Sequence, residues 1–239
     1  MKIVALIPCR YESKRFPGKA LALINNMPMM WHVYKQSEKS KYIDEAYIVT
    51  DDNRILKKCL EYNLRCILSK KNHLNGTDRI AECISKIKSD IYVNVQGDEP
   101  LISPLSINAV IKELIKNKDP KILATNAFHK IKNKKDVFNK NIVKTIFDKN
   151  KKALSFSRYP IPFSKKRNII YYRQIGLYAF SKKGLSIFNK LKPGLIEKNE
   201  TVEMFRIIEN GYNIKMVEVL NSSISVDTPW DLKKIRKLF

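Results

Sequence analysis

Cysteine is scarce in this chain and scattered: Cys9, Cys59, Cys66 and Cys83 form neither a CxxC pair nor a Cys/His cluster. Such spacing excludes a zinc ribbon or a disulfide framework and fits a reduced compartment. Long hydrophobic runs are missing as well. The first apolar stretch is only about six residues, too short for a signal-peptide core, and no run approaches the roughly 18 to 20 residues of a membrane span. The sequence therefore predicts a cytoplasmic location without membrane insertion. GxxxxGK[ST] and GxGxxG are absent, so neither a Walker loop nor a dinucleotide turn is present. His32 falls in an amphipathic helix, His73 and His129 fall in polar loops, and no Ser/His/Asp or Cys/His arrangement is in view. Nucleophilic catalysis by the protein is not expected.

Acidic residues are outnumbered two to one, 23 against 46 Lys and Arg, for a net charge of +23. Clustered cations would mark a phosphate-backbone surface. Here lysine is spread through almost every segment, often beside asparagine, as on solvated faces, so no nucleic-acid partner is expected. With 239 residues and 44% hydrophobic content, the chain can bury one substantial core. A single domain, residues 1–239, is expected, with a change of texture near residue 120.

Apolar β-rich runs recur at 3–8, 46–50, 65–69 and 91–96, separated by stretches of helical spacing. Strands alternating with helices imply a parallel sheet. Helices are predicted over 29–40, over 77–86 with Thr77 as cap, and over 104–116 behind Ser103 and Pro104. Beyond residue 120, strands at ILATNAF, NIVKTIF, ALSFSR, IGLYAFS and IKMVEV, a helix near 198–210 and a last helix after Asp227 predict a mixed sheet.

In an open α/β sheet the ligand sits beyond the carboxyl ends of the parallel strands. Four polar clusters fall there: the loop IPCRYESKRFPGK, TDD at 50–52, GTDRIAE at 76–82 and GDEP at 97–100. Arg10, Arg15 and Lys19 surround a turn at Pro17–Gly18, which suits a polyphosphate; Lys14 reads as plain surface. Asp98 emerges from VNVQG at a strand end. Asp227 lies in SVDTPWDL, where it is either a ligand or, like Thr228, a helix cap. Two carboxylates from separate strand ends, with phosphate oxygens and water, can hold Mg²⁺. Glu99 is a spare. The matching chemistry is direct transfer to an oxygen of a bound acceptor, driven by positioning and charge neutralisation.

Taken together, IPCRYESKRFPGKAL, VTDD, GTDRIAE, VNVQGDEPLI, FSRYPIP, QIGLYAF and VDTPWDL resemble, in that order, the 3-deoxy-manno-octulosonate cytidylyltransferases (CMP-Kdo synthetases), over about residues 3–236. The resemblance implies a three-layer, nucleotide-diphospho-sugar transferase-like (Rossmann-like) α/β fold with a mixed, mainly parallel central sheet and a small antiparallel extension. It implies a Mg²⁺-dependent enzyme of lipopolysaccharide or capsule assembly that joins CTP to a 3-deoxy-ulosonic acid. Arg10, Ser13, Arg15 and Lys19 would hold the CTP phosphates, with Gly76, Thr77 and Arg79 around the nucleotide. Asp98 and Asp227 would bind the metal, and these two with Lys19 form the catalytic set. Gln96 and Arg158 would face the sugar. Residues from about 1 to 120 would bind nucleotide; those from about 121 to 239 would bind sugar and form a homodimer. Two positions depart from the family pattern: Gln174 stands where HIG is usual, and EKNETVEMFR puts Met204, beside Glu203, where glutamine is usual. Gln174, Glu203 and Met204 all belong to the sugar half; Kdo is the expected acceptor, with a modified Kdo or another acidic sugar such as a nonulosonate as the alternative. From another class, a basic binding module without catalysis is the competing reading, and it predicts lost carboxylates.

Overall fold

The computed structural model describes residues 1–13, 15–70, 73–165, 169–220 and 224–239. Lys14 lies outside them. The elements run β1 (Ile3–Pro8), β2 (Leu23–Ile24), β3 (Met27–Pro28), α1 (Met29–Glu38), β4 (Glu45–Thr50), α2 (Asn53–Glu61), β5 (Cys66–Leu68), α3 (Gly76–Ala81), β6 (Ile91–Val95) and α4 (Pro104–Lys116). They continue with β7 (Ile122–Lys130), α5 (Lys134–Val137), β8 (Lys144–Phe147), β9 (Ala153–Ser157), β10 (Tyr172–Ser181), α6 (Lys182–Lys190), α7 (Leu195–Glu200), α8 (Phe205–Glu209), β11 (Asn213–Glu218) and α9 (Pro229–Ile235). The chain divides into two compact units, Met1–Asn108 with Ser223–Phe239, and Ala109–Ser222.

In the first unit β1 pairs in parallel with β4 and with β6, and β4 pairs in parallel with β5. Every residue of β6 is buried, as are Ile3 to Ile7 of β1, which is why both read as unbroken apolar runs rather than alternating ones. α1 stops at Glu38, and α3 is capped by Asn75, whose side chain accepts from Asp78 N at 2.8 Å. Thr77, the expected cap, is the second residue of the helix and is buried. Past Ala81 the chain tightens into a 3₁₀ turn, Glu82–Ser85, so the expected 77–86 helix is shorter and of two kinds.

The first unit is completed from the far end of the sequence. Val226, Leu232 and Ile235 form one buried cluster with Ile24 and Met29, and Phe16, Ala22 and Leu101 pack against it. α9 starts on a capping box: Thr228 Oγ1 accepts from Asp231 N, and Asp231 Oδ2 accepts from Thr228 N at 2.9 Å, with Pro229 opening the first turn. Thr228 is therefore the cap, and Asp227 is left to other work.

In the second unit β7 pairs in parallel with β11 and antiparallel with β10, and β10, β8 and β9 continue antiparallel. Strand β8 begins at Lys144, later than NIVKTIF suggested. The preceding turn and the exit of β9 aim carbonyls at the Lys144 ammonium, which donates to Asn139 O at 3.1 Å, Ile142 O at 2.7 Å and Arg158 O at 2.5 Å. This wholly buried lysine has a pKa below the ordinary lysine value, first through burial and then through the charge of Arg158. The helix expected near 198–210 is two short ones, α7 and α8, because Thr201 turns left-handed at φ 54°.

Candidate active site

Strand β1 delivers the chain into the first loop after Cys9, which is buried. Burial pushes the Cys9 thiol well above its ordinary pKa, so it lines the floor as a neutral group. The loop closes on itself: Gly18 N–H donates to Tyr11 O at 2.8 Å with Gly18 at φ 68°, a backbone region that glycine adopts without strain. The following 3₁₀ turn, Lys19–Leu21, points the Lys19 ammonium inward.

Beside it, β6 ends at Val95 and the chain leaves through Gln96, Gly97 and Asp98. A Cβ on Gly97 would lie 2.7 Å from Cys9 Sγ and 2.9 Å from Pro8 O, so only glycine lets the two strand exits lie this close. Asp98 Oδ2 is 2.5 Å from Lys19 Nζ. The returning C-terminal segment is fixed to the same turn by Val226 N–H donating to Asp98 O at 2.8 Å. Asp227 Oδ1 lies 2.9 Å from Arg15 Nη2 and 3.6 Å from Lys19 Nζ, and Lys19 also donates to Val226 O at 3.3 Å. Four residues singled out in the sequence thus meet in one charged network. Both carboxylates converge on a single cationic group, and hard oxygen donors of this kind could hold a divalent cation.

The other nucleotide residues divide. Arg10 is exposed and Ser13 half-buried. Gly76 opens α3 so close to the β1 and β6 exits that a Cβ would meet Pro8 Cγ at 3.2 Å and Gln96 Nε2 at 3.3 Å. Thr77 Oγ1 accepts from Asn94 Nδ2 at 2.9 Å, both fully buried. Arg79 is buried and spans Asp51 at 2.9 Å and Ser69 Oγ at 2.7 Å. These contacts brace the ends of β4, β5 and β6, with those of Arg79 to Asp51 and Ser69 both made through Nη1.

In the second unit Arg158 Nη1 donates to Lys140 O at 2.9 Å, Nε to Glu200 O at 3.0 Å and Nη2 to Thr201 Oγ1 at 3.0 Å. Glu200 in turn accepts from Ser157 Oγ and Arg158 N, so part of Arg158's capacity is spent on holding α7 to β9. Gln174 Nε2 donates to Asn126 Oδ1 at 2.8 Å, beside the β10 irregularity between Gln174 and Tyr178. Glu203 is half-buried. Met204 is wholly buried, so its role is packing: the thioether fills core where glutamine would bring an amide.

Residues 4–218 match the family described as Cytidylyltransferase. The 3-deoxy-manno-octulosonate cytidylyltransferase of Solibacter usitatus is 38% identical over 240 residues, covering 100% of this chain and 94% of that protein. The enzyme of the same name from Christiangramia forsetii is 41% identical over 239 residues, covering 99% and 96%. This chain belongs to the 3-deoxy-manno-octulosonate cytidylyltransferase (CMP-Kdo synthetase) family. A solved CMP:2-keto-3-deoxy-manno-octonic acid synthetase complexed with CTP superposes on it with a TM-score of 0.92 at 33% identity, covering 100% of this chain and 98% of that one. The inositol-1-phosphate CTP transferase of T. maritima, at TM-score 0.68 and 14% identity over 98% and 94%, shares the fold alone. The mixed, mainly parallel α/β class expected from the sequence is the fold of the CMP-Kdo synthetase family. Among the described residues no helix is long and apolar enough to cross a membrane.

Proposed function

We propose that this chain transfers the cytidylyl group of CTP to Kdo, giving CMP-Kdo and pyrophosphate for lipopolysaccharide or capsule assembly. The observation that carries the reading is the network in which Lys19 and Arg15, from the first loop, meet Asp98 and Asp227, from two other strand exits. Its siting at the carboxyl ends of parallel strands is where an α/β sheet places its ligand.

Arg10, Ser13, Arg15 and Lys19 bind the phosphates of CTP. The hydroxyl on the anomeric carbon of the sugar attacks the α-phosphorus in line and releases its proton to solvent, the new O–P bond forms, and the bond from the α-phosphorus to the bridging oxygen breaks with pyrophosphate taking the electron pair. Lys19 and Arg15 offset the charge that accumulates on the phosphate oxygens. Asp98 and Asp227 are the residues that would hold Mg²⁺, which supplies further charge neutralisation and orients the triphosphate. Gly76 lines the nucleotide side. Gln96, Arg158, Gln174 and Glu203 belong to the acceptor side, where the carboxylate of Kdo calls for a cation. Met204, being core, gives no support to a changed acceptor, so Kdo itself is the sugar of choice.

A homodimer in the cytoplasm completes this reading. It is supported by the large apolar side chains that the second unit leaves in water, among them Phe138, Tyr159, Phe163 and Leu195.

The deciding experiment is pyrophosphate release from CTP with Mg²⁺ and a panel of acidic sugars. Kdo should give the highest kcat/KM, UTP should replace CTP poorly, and chelation should abolish turnover. Preference for a nonulosonate, or turnover unaffected by EDTA, would reject the acceptor or the metal respectively.

A further inference from the structure

The first loop is gripped from outside by two residues that the reaction itself does not use. The Arg54 guanidinium lies over the Tyr11 ring at 3.3 Å from its centroid. It is held there by Asp52, which caps α2 by accepting from Arg54 N at 2.9 Å and receives the guanidinium through both oxygens, Nε at 2.9 Å and Nη2 at 2.6 Å. The Tyr11 ring also sits against Gly18, where a Cβ would be 3.2 Å away, and the Tyr11 carbonyl accepts the Gly18 amide that closes the loop. Tyr11 thus joins the two ends of the loop, and Arg54 fixes Tyr11 to the rigid start of a helix.

We propose that Asp52, Arg54 and Tyr11 form a strap that presets the phosphate-binding loop for CTP, with Arg54 and Tyr11 as positioning residues. A loop of ten residues, Arg10 to Lys19, carrying Arg10, Ser13, Arg15 and Lys19, loses conformational freedom when it orders around a triphosphate. A planar guanidinium locked by a bidentate carboxylate and stacked on a ring removes part of that loss before the nucleotide arrives. The inference rests on the assignment of this loop to the CTP phosphates.

A cation–π contact at an exposed site, as Arg54 is with 56% of its side chain accessible, is worth up to about 1 kcal/mol, or roughly fivefold in affinity. Arg54→Gln and Tyr11→Leu should each raise the CTP KM and the CTP Kd about fivefold, with kcat and the Kdo KM moving less than about twofold. Because the two act through one contact, the double variant should also lose about fivefold rather than the product of both. Tyr11→Phe, which keeps the ring, should restore the wild-type CTP affinity. Lys19→Met and Arg10→Ala, measured alongside, report on the loop assignment itself. If these weaken CTP while Arg54→Gln and Tyr11→Leu do not, the strap is wrong and the loop assignment stands; if none of the four moves CTP affinity, both fall. A loss in kcat equal to that in CTP affinity, or a Tyr11→Phe as weak as Tyr11→Leu, also overturns the positioning role.

Discussion

Asp98 and Asp227 come from segments 129 residues apart in sequence, yet each lies within reach of Lys19 Nζ, at 2.5 and 3.6 Å. Replacing either carboxylate by an amide of the same shape keeps the packing and removes an anionic donor. Asp98→Asn and Asp227→Asn should each lower kcat by two or more orders of magnitude with the far-ultraviolet circular dichroism unchanged; full turnover in either variant would remove that residue from the site. Glu82 is a carboxylate held strongly in its charged form. Burial raises its pKa, but Lys86, the Lys70 amide and His73 more than offset that and hold it down at about 2. A carboxyl with a folded pKa below its unfolded value stabilises fully above about pH 4.5 and loses that contribution as the pH falls towards 2. Glu82→Gln should therefore cost on the order of 2 kcal/mol at pH 7, and denaturant titrations of variant and wild type should converge as the pH drops through 4 to 2. An equal gap at pH 7 and at pH 2.5 would show that the loss is one of packing and not of charge.

Elements were legible where one rule governed them. The buried strands β1, β4 and β6 stood out as continuous apolar runs, and Pro104 marked the start of α4. What the chain did not advertise was competition for polar atoms. Thr77 looks like a cap, but Asn75 reaches the amide first and Thr77 turns to Asn94. Arg79 is held by Asp51 and Ser69 through Nη1, and Thr201 splits one expected helix into two. Such outcomes depend on which neighbours the tertiary structure supplies, and no residue spacing encodes that. The start of α9 was the ambiguous case, with Asp227 or Thr228 as cap, and the reciprocal bonds between Thr228 and Asp231 decide it. Thr228→Ala should cost about 1 kcal/mol of stability, as loss of a cap does, and should lower activity too, since α9 carries Asp227 at its approach. An activity loss without a change in unfolding midpoint would mean that Thr228 serves the ligand directly.

At the scale of the whole chain, the change of texture near residue 120 marks a real change from parallel to mixed pairing, but the first unit is not sequence-continuous: its last seventeen residues return from the far terminus. That return has a function, because the apolar face of α9 is what sets Asp227 against the first loop. Leu232 and Ile235 lie in one buried cluster with Ile24, Met29 and Val226, and Phe16 of the loop packs on it. Arg236 adds two hydrogen bonds to Leu23 O, at 2.9 and 2.8 Å. Val226 holds the backbone of Asp98, so hydrophobic packing at the terminus and charge at the site are coupled through one residue step. Leu232→Ala removes a buried side chain from that cluster at a cost of about 2 to 4 kcal/mol. With Asp227 then less firmly placed, the concentration of Mg²⁺ giving half-maximal activity should rise several-fold, while the Kdo KM, which depends on residues of the other unit, should hold within about twofold. If the variant unfolds more easily yet keeps the wild-type Mg²⁺ dependence, α9 is only a structural clasp, and the position of Asp227 is secured by the Val226–Asp98 backbone bond alone.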